Sequence, residues 1–216
     1  MNWSERYFVR DFDASKKVSD SDIEELCSIV NYIPSQVLNK DHYWLLLNND
    51  NPKHKEIVKW LVKNIYYDPR HDDFVENFGQ LMDAPYVMHS LLRRDGEWQG
   101  PREEEYHFQR GNVLFHAGAI MSKAVSLGLD TCVIACTEGT NHRDFDELMS
   151  EYTALIVDSF PQIELWEDDD EVFPSISMGI GYGIKHNQPV LIEKNGFKWM
   201  SYKDNHKNPN MLYSKK

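Results

Sequence analysis

The stretch from Val113 to Leu127 has the sequence VLFHAGAIMSKAVSL, and wound as a helix it has almost no polar face. A helix that is apolar on every side must be buried on every side. A single chain of 216 residues cannot easily cover such a helix all round, so a second copy of the chain is the natural source of the remaining cover. The stretch therefore predicts a long buried helix at an oligomer interface, with Ile120 among the interface residues.

Shorter segments on both sides of this helix alternate between helical and extended patterns. Ser19 and Asp22 form a capping box at the start of the first helix, and Pro34 ends that segment. Strands are predicted over residues 43–47, 86–92, 131–135 and 175–182, and helices from Pro52, over residues 74–82 and over residues 144–158. The uneven order of these elements predicts an α+β or a mixed α/β fold.

The composition excludes several classes of protein. The chain has 23 Lys and Arg against 35 Asp and Glu, a net charge of −12, which argues against nucleic acid or an anionic membrane as a partner. Its 41% hydrophobic content argues against disorder, and no apolar run reaches the ~18 residues of a membrane span. Residues 1–5 do not resemble a signal peptide, and Cys27, Cys132 and Cys136 lack zinc-type spacing. We therefore expect a soluble cytoplasmic protein with reduced thiols.

Two patterns that suggest binding sites have simpler explanations. Gly179, Gly181 and Gly183 form a G-x-G-x-G run after a predicted strand, but a dinucleotide site needs a different spacing and a following helix. His107 follows three glutamates and could offer metal ligands, yet a solvated acidic face explains the pattern better. The acidic run over residues 166–171 is likewise expected to be a solvated loop. We expect no metal site.

Alternating residues near the start of the chain suggest an anion site. In an extended chain the side chains of Arg6, Phe8 and Arg10 point the same way, so both guanidinium groups face one place. The planar fork of arginine can donate two parallel hydrogen bonds to a phosphate. Surface ion pairs with the abundant carboxylates are the alternative explanation of the two arginines.

The segment from Arg6 to Lys17, together with the capped helix and the turn at residues 32–35, resembles the opening of the FMN-dependent nitroreductase family. The similarity continues in order over roughly residues 6–198, in Asn77–Pro85, Gly118–Asp130, Thr137–Gly139 and Gly179–Tyr182. It implies a single domain over residues 1–216, with a core over about 6–198 and a C-terminal extension over 199–216. The implied fold is α+β with three layers, α/β/α, in which helices flank a central mixed, mainly antiparallel sheet and the long helix lies at the dimer interface.

The same resemblance implies a homodimer that binds FMN between its two subunits. Arg6 and Arg10 would hold the phosphate end of FMN, together with a C-terminal lysine, either Lys194 or Lys198. The second subunit would contribute ring contacts from Pro34, Ser35, Gln36 and Asn39. The remaining cofactor contacts would come from Tyr7, Phe8, Asn77 at the pyrimidine edge, Gln80, Thr137, and Glu138 and Gly139 near the flavin N5.

The family also implies a chemistry in which the flavin does the redox work and no side chain is itself catalytic. NAD(P)H would reduce the bound FMN, which would then reduce an electron-poor small molecule such as a nitroaromatic or a quinone. Two alternatives remain open. One is a flavoprotein of the same fold with other chemistry, such as dehalogenation or flavin fragmentation, and the other is a dimeric flavin-binding protein without catalysis.

Three departures from the family pattern indicate an altered pocket. Phe8 stands where the family usually has a hydroxyl residue, which removes a hydrogen-bond donor. Gln80 stands where many members place a lysine beside the flavin N1 and C2 carbonyl, and loss of that cation should lower the reduction potential. An extra residue precedes Asn39, and residues 41–43 replace the usual Gln-Pro before an aromatic residue. The resemblance therefore implies an unusual or narrow substrate.

Overall fold

The computed structural model of the chain describes residues 9–33, 42–64, 79–94, 102–135, 145–162, 171–186, 190–194 and 197–201. Within these ranges, helices and strands alternate along the chain. The helices are α1 (Asp20–Ser28, continued by a 3-10 turn over Ile29–Tyr32), α2 (Pro52–Asn64), α3 (Gly79–Asp83), α4 (Arg102–Ser126) and α5 (Phe145–Ser159). The strands are β1 (His42–Asn48), β2 (Tyr86–Arg94), β3 (Asp130–Ala135), β4 (Glu171–Gly181), β5 (Val190–Lys194) and β6 (Phe197–Ser201).

Four of these strands form one sheet in the order β1-β2-β4-β3. β4 lies inside the sheet, where Met178 is opposite Met88 of β2 on one side and Val133 of β3 on the other. β5 and β6, which the sequence did not predict, form a separate hairpin with Ile192 opposite Trp199. The order of the elements confirms the predicted α+β class. Every pairing among the described strands is antiparallel, so the mixed part of the predicted sheet does not occur there.

β4 starts at Glu171, inside the acidic run that was expected to be a loop and four residues before the predicted start of the strand. The strand includes Pro174, which has no N–H to contribute to a ladder. Pro174 is tolerated because it lies at a bulge, where the register between β2 and β4 shifts. At this bulge the Ser90 hydroxyl accepts the Ile176 N–H at 2.7 Å and donates to the Ile176 carbonyl at 3.2 Å.

The predicted helix starts of α1 and α2 are confirmed by their caps. Ser19 Oγ accepts the N–H of Asp22 at 3.1 Å, which satisfies a backbone donor in the first turn of α1. Asn51 Oδ1 accepts the N–H of Lys53 at 2.9 Å at the start of α2. In both helices the cap and its partner are close in sequence, which is why the sequence located them correctly.

The inner face of α4 packs on the sheet of its own chain. Its buried residues recur every three or four positions, at Val113, Ala117, Ile120 and Ala124. Because Ile120 lies in this core, its predicted place at an oligomer interface is wrong. The sequence of residues 113–127 is apolar on both faces of the helix, and only the packing shows which face the chain covers by itself.

The outer face of α4 carries apolar side chains that are exposed in the described part of the chain. Leu114 is 52% exposed and Phe115 is 60% exposed. Gly111 and Gly118 lie on the same face, and a Cβ added to either glycine would meet no atom within 4 Å. We call these four residues the outer face of α4.

Candidate functional site

Residues Val9–Asp13, which we call the N-terminal segment, lie against β3 and the chain that follows β4. Phe12 forms an isolated antiparallel bridge with Gly183. The backbone bonds run from Val9 N–H to Thr131 O (3.3 Å), from Asp13 N–H to Tyr182 O (2.8 Å) and from Ile184 N–H to Asp11 O (2.8 Å). These hydrogen bonds join the backbone of the N-terminal segment to β3 and to the residues after β4. They hold the backbone in place on both sides of Arg10.

A buried carboxylate joins the N-terminal segment to α3. Asp83, the last residue of α3, accepts the Phe12 N–H through Oδ2 at 3.2 Å. The two residues are 71 positions apart, and the bond is buried. Asp83 thus holds α3, and with it Gln80, beside the segment that carries Arg10. No local sequence pattern indicates this role of Asp83.

Arg10, Gln80 and Cys132 come together from three different parts of the fold, namely the N-terminal segment, α3 and β3. Burial raises the pKa of the Cys132 thiol to about 12, although the positive charge of Arg10 and a hydrogen bond with Gln80 both act to lower it. The Nη1 atom of Arg10 and the Oε1 atom of Gln80 are buried, and Gln80 Oε1 has no hydrogen-bond partner among the described residues. The place therefore holds a guanidinium, a primary amide with a spare acceptor, and a thiol that stays protonated and inert.

Ionic and polar contacts hold the chain after β4 next to this cluster. His186 Nε2 lies 2.7 Å from Oδ2 of the buried Asp11. Asp130 Oδ2 accepts the Gly183 N–H at 3.0 Å, and its Oδ1 lies 3.8 Å from Lys185 Nζ. The sequence did not predict this contact between Asp11 and His186, because it spans 175 positions.

The G-x-G-x-G run does not form a phosphate-binding loop. Gly179 and Gly181 belong to β4, and Gly183 pairs with Phe12 in place of opening a helix. The expectation that this run is not a dinucleotide site is consistent with that geometry, because a dinucleotide loop leads into a helix N-terminus.

Two buried histidines lie near α3. His54 Nε2–H donates to the carbonyl of Leu81 at 3.0 Å, and His89 Nδ1 lies 2.8 Å from Ser177 Oγ. The centroids of the two rings are 5.9 Å apart. Burial lowers the pKa of His54 to about 4 and the pKa of His89 to about 3, so both rings are neutral near pH 7. Among the described residues, no group of three or more His, Cys, Asp or Glu side chains could hold a metal ion.

Of the predicted cofactor contacts, the structure describes Arg10 and Gln80 in full and places both near Cys132. Lys194 in β5 and Lys198 in β6 are described in their backbone, where Lys194 is opposite Phe197 and Lys198 is opposite Glu193. The other predicted contacts lie outside the described residues: Arg6, Tyr7, Phe8, Pro34, Ser35, Gln36, Asn39, Asn77, Thr137, Glu138 and Gly139.

Residues 4–153 match the Nitroreductase family, and this match covers more than half of the chain. The chain therefore belongs to the Nitroreductase family. Among curated proteins, none matches the sequence significantly.

Solved structures of this family share the fold at low sequence identity. An FMN-dependent nitroreductase from Clostridium difficile R20291 has a TM-score of 0.58 at 13% identity, covering 98% of this chain and 96% of that chain. A nitroreductase family protein from Streptococcus pneumoniae TIGR4 has a TM-score of 0.56 at 13% identity, covering 88% and 93%. A nitroreductase-type protein from Desulfovibrio desulfuricans, solved in complex with FMN, has a TM-score of 0.52 at 13% identity, covering 86% and 88%. These similarities establish the fold.

No helix within the described ranges is long and apolar enough to cross a membrane.

Proposed function

We propose that this protein is a flavin-dependent oxidoreductase that holds FMN beside Arg10 and Gln80. The observation that carries the proposal is the convergence of these two side chains at Cys132, because they come from separate elements and both were assigned to the cofactor by sequence. The family, a neighbour described as FMN-dependent and a neighbour solved in complex with FMN support the choice of cofactor. When bound, FMN would accept a hydride from a nicotinamide donor and pass reducing equivalents to an acceptor.

The side chains present are suited to an FMN ring edge. Gln80 has a buried acceptor, Oε1, that lacks a partner among the described residues, and a ring N–H of a flavin would satisfy it. The Arg10 guanidinium offers several donors and a permanent positive charge, which suit a carbonyl or phosphate oxygen. The residues therefore fit the group that the family implies.

The position of Arg10 suggests a more specific role than the one assigned from sequence. Arg10 lies with Gln80 at the same thiol, so we infer that both side chains contact the same end of FMN. If Gln80 marks the pyrimidine edge, Arg10 supplies the positive charge there that a lysine supplies in other members. Arg6 would then hold the phosphate with Lys194 or Lys198. The reduction potential of the bound FMN should therefore be lowered less than the replacement of a lysine by Gln80 would lower it by itself.

We further propose that the protein is a homodimer with FMN between the subunits. The outer face of α4 supports this proposal, because an exposed Phe115 and Leu114 on one helix face are the kind of apolar surface that a second subunit covers. Residues Pro34, Ser35, Gln36 and Asn39 would reach the ring from the second subunit, as the family resemblance implies.

The finer assignments also belong to this proposal. NAD(P)H is the proposed donor, and an electron-poor small molecule, nitroaromatic or quinone-like, is the proposed acceptor. We place the protein in the cytoplasm, since Cys27 and Cys132 are free thiols. A net charge of −12 supports the expectation of no nucleic-acid partner and no membrane partner.

An absorbance spectrum and a turnover assay test this function. The purified protein, incubated with FMN and desalted, should retain stoichiometric flavin absorbance and oxidise NADH or NADPH when a nitroaromatic or a quinone is present. A protein that remains colourless after reconstitution would contradict the proposal. Bound flavin without turnover of either nucleotide would favour the other flavin chemistries or a non-catalytic flavin-binding protein.

A further inference from the structure

We propose that Gly179, Gly181 and Gly183 are positioning residues for the cofactor, a role that rests on the proposed FMN site. The three glycines alternate along β4 and the residues just after it, so they share one face, which we call the glycine face. The N-terminal segment and the turn after α3 both lie directly on this face. The N-terminal segment carries Arg10, and the turn directly follows α3, the helix that carries Gln80.

Gly183 lies against the residue that precedes Arg10. A Cβ at this position would lie 2.4 Å from Cγ2 and 3.0 Å from Cβ of Val9. Val9 is β-branched and 2% exposed, so its methyl groups cannot rotate away into open space. Any side chain at position 183 must therefore displace the N-terminal segment.

Gly181 and Gly179 lie against the turn that follows α3. A Cβ at Gly181 would lie 2.6 Å from Cδ of Pro85, whose ring is rigid, and a Cβ at Gly179 would lie 3.0 Å from Cβ of Ala84. The Ala84 N–H donates to the Gln80 carbonyl at 3.1 Å, so a shift of this turn is transmitted to Gln80. The glycine face thus sets the position of the α3 side of the cluster as well.

The side chain of Phe12, which belongs to the N-terminal segment, also lies on the glycine face. Its ring atoms would be 3.3 Å from a Cβ at Gly179 and 3.1 Å from a Cβ at Gly181. Its own N–H donates to Asp83, so Phe12 links both segments by packing and by a hydrogen bond. The close approach that glycine permits is therefore a condition for bringing Arg10 and Gln80 to the same thiol.

The test compares Gly183→Ala, Val9→Ala and the double variant V9A/G183A with the wild-type protein. Two measurements are made on each: FMN dissociation constants by flavin fluorescence, and amide hydrogen exchange of Asp13 and Ile184 without cofactor. G183A should weaken FMN binding at least tenfold and speed exchange at both amides, because the added methyl displaces the segment. V9A removes the clashing methyl groups, so the double variant should recover most of the affinity while V9A alone remains less stable than wild type.

The outcomes below separate a positioning role of the glycines from general destabilisation. G183A that binds FMN as tightly as wild type, with unchanged exchange, would overturn the positioning role. A double variant that stays as weak as G183A would do the same, since the loss would then come from general destabilisation. Should G183A not fold, Gly179→Ala provides the milder test, because its Cβ needs only a few tenths of an ångström, and an unchanged FMN affinity in that variant would overturn the role. A wild-type protein that binds no FMN overturns the proposed function, whereas the exchange rates still test the displacement of the segment.

Discussion

At the scale of single residues, Arg10 is the clearest case in which the tertiary surroundings of a side chain change the role that the sequence predicts for it. From sequence, Arg10 was grouped with Arg6 because they alternate along an extended segment. In the fold, Arg10 lies close enough to Cys132 for its charge to lower the pKa of that thiol, as does a hydrogen bond from Gln80, which is 70 positions from Arg10 in the chain. The positive charge of Arg10 therefore lies close to Gln80, the position at which the sequence predicts the loss of the family's lysine.

Removal of the Arg10 charge should weaken FMN binding and change the reduction potential of the bound flavin. Arg10→Gln should raise the FMN dissociation constant roughly 10- to 100-fold, because a charged hydrogen bond contributes about 1.5–3 kcal/mol. The reduction potential of the bound flavin should also become more negative, since a nearby cation stabilises the electron-rich form. Fluorescence titration and redox titration measure the two effects.

Two variants serve as controls for Arg10. Arg93→Gln removes a charge near the far end of β2, opposite Val172, and should leave both quantities unchanged. The double variant R10Q/Q80K returns a cation to the same cluster and should restore the potential. A potential that stays at the wild-type value in R10Q would show that the Arg10 charge does not act on the flavin.

The buried histidines predict that acid destabilises the fold. Both His54 and His89 have a folded-state pKa below the ordinary value of 6.5, so the unfolded chain binds protons that the folded chain does not. Their stabilising effect is fully present above about pH 7 and is lost as the pH falls from about 6.5 towards 4. Each ring should lower the free energy of unfolding by up to about 1.4 kcal/mol per pH unit in that window.

Urea unfolding between pH 5 and pH 8 measures this dependence. His89→Gln, which has no titrating ring, should show a smaller slope of unfolding free energy against pH below 6.5, at whatever absolute stability the variant has. Equal slopes in the variant and in the wild type would mean that His89 is not the group that resists protonation.

At the scale of elements, the helix caps were predictable and the strand limits were less so. Ser19 and Asp22 are three residues apart, so their contact depends only on local geometry. β4 began earlier than predicted because Pro174 is accommodated by a bulge that the Ser90 hydroxyl stabilises, and Ser90 belongs to another strand. Local patterns cannot reveal a partner that lies 86 positions away.

Removal of the α1 cap should affect stability alone. Ser19→Ala leaves the Asp22 N–H without its acceptor and should lower the free energy of unfolding by about 1 kcal/mol. Chemical denaturation measures the change, and FMN affinity should not move. The matched control is Ser28→Ala at the other end of α1. The Ser28 hydroxyl donates to the Glu25 carbonyl within the helix, so its loss should lower the free energy of unfolding less. Equal losses in the two variants would argue against a cap-specific effect.

At the scale of the whole molecule, the proposed dimer depends on which face of α4 has exposed apolar side chains. Phe115→Asp places a charge on the outer face, so it should produce a folded monomer that binds FMN poorly if the cofactor lies between subunits. Ile120→Asp, by contrast, places a charge in the core of the chain itself and should abolish folding. Light scattering after size-exclusion chromatography measures the mass, and circular dichroism reports folding. A dimeric F115D with normal FMN affinity would contradict the proposed interface.

The sequence alone determined the family, the α+β class, the helix caps and the need for cover on a long apolar helix. These features depend on the order of motifs and on contacts within about one helical turn, which are written directly in the chain. The tertiary structure decided which face of α4 is open, that the alternating glycines support the N-terminal segment, and that Arg10 and Gln80 both lie near Cys132. Arg10 and Gln80 are 70 positions apart, and Val9 and Gly183 are 174 positions apart. The register of an antiparallel sheet and the close approach of backbones set where these residues lie, so no local pattern could specify their proximity.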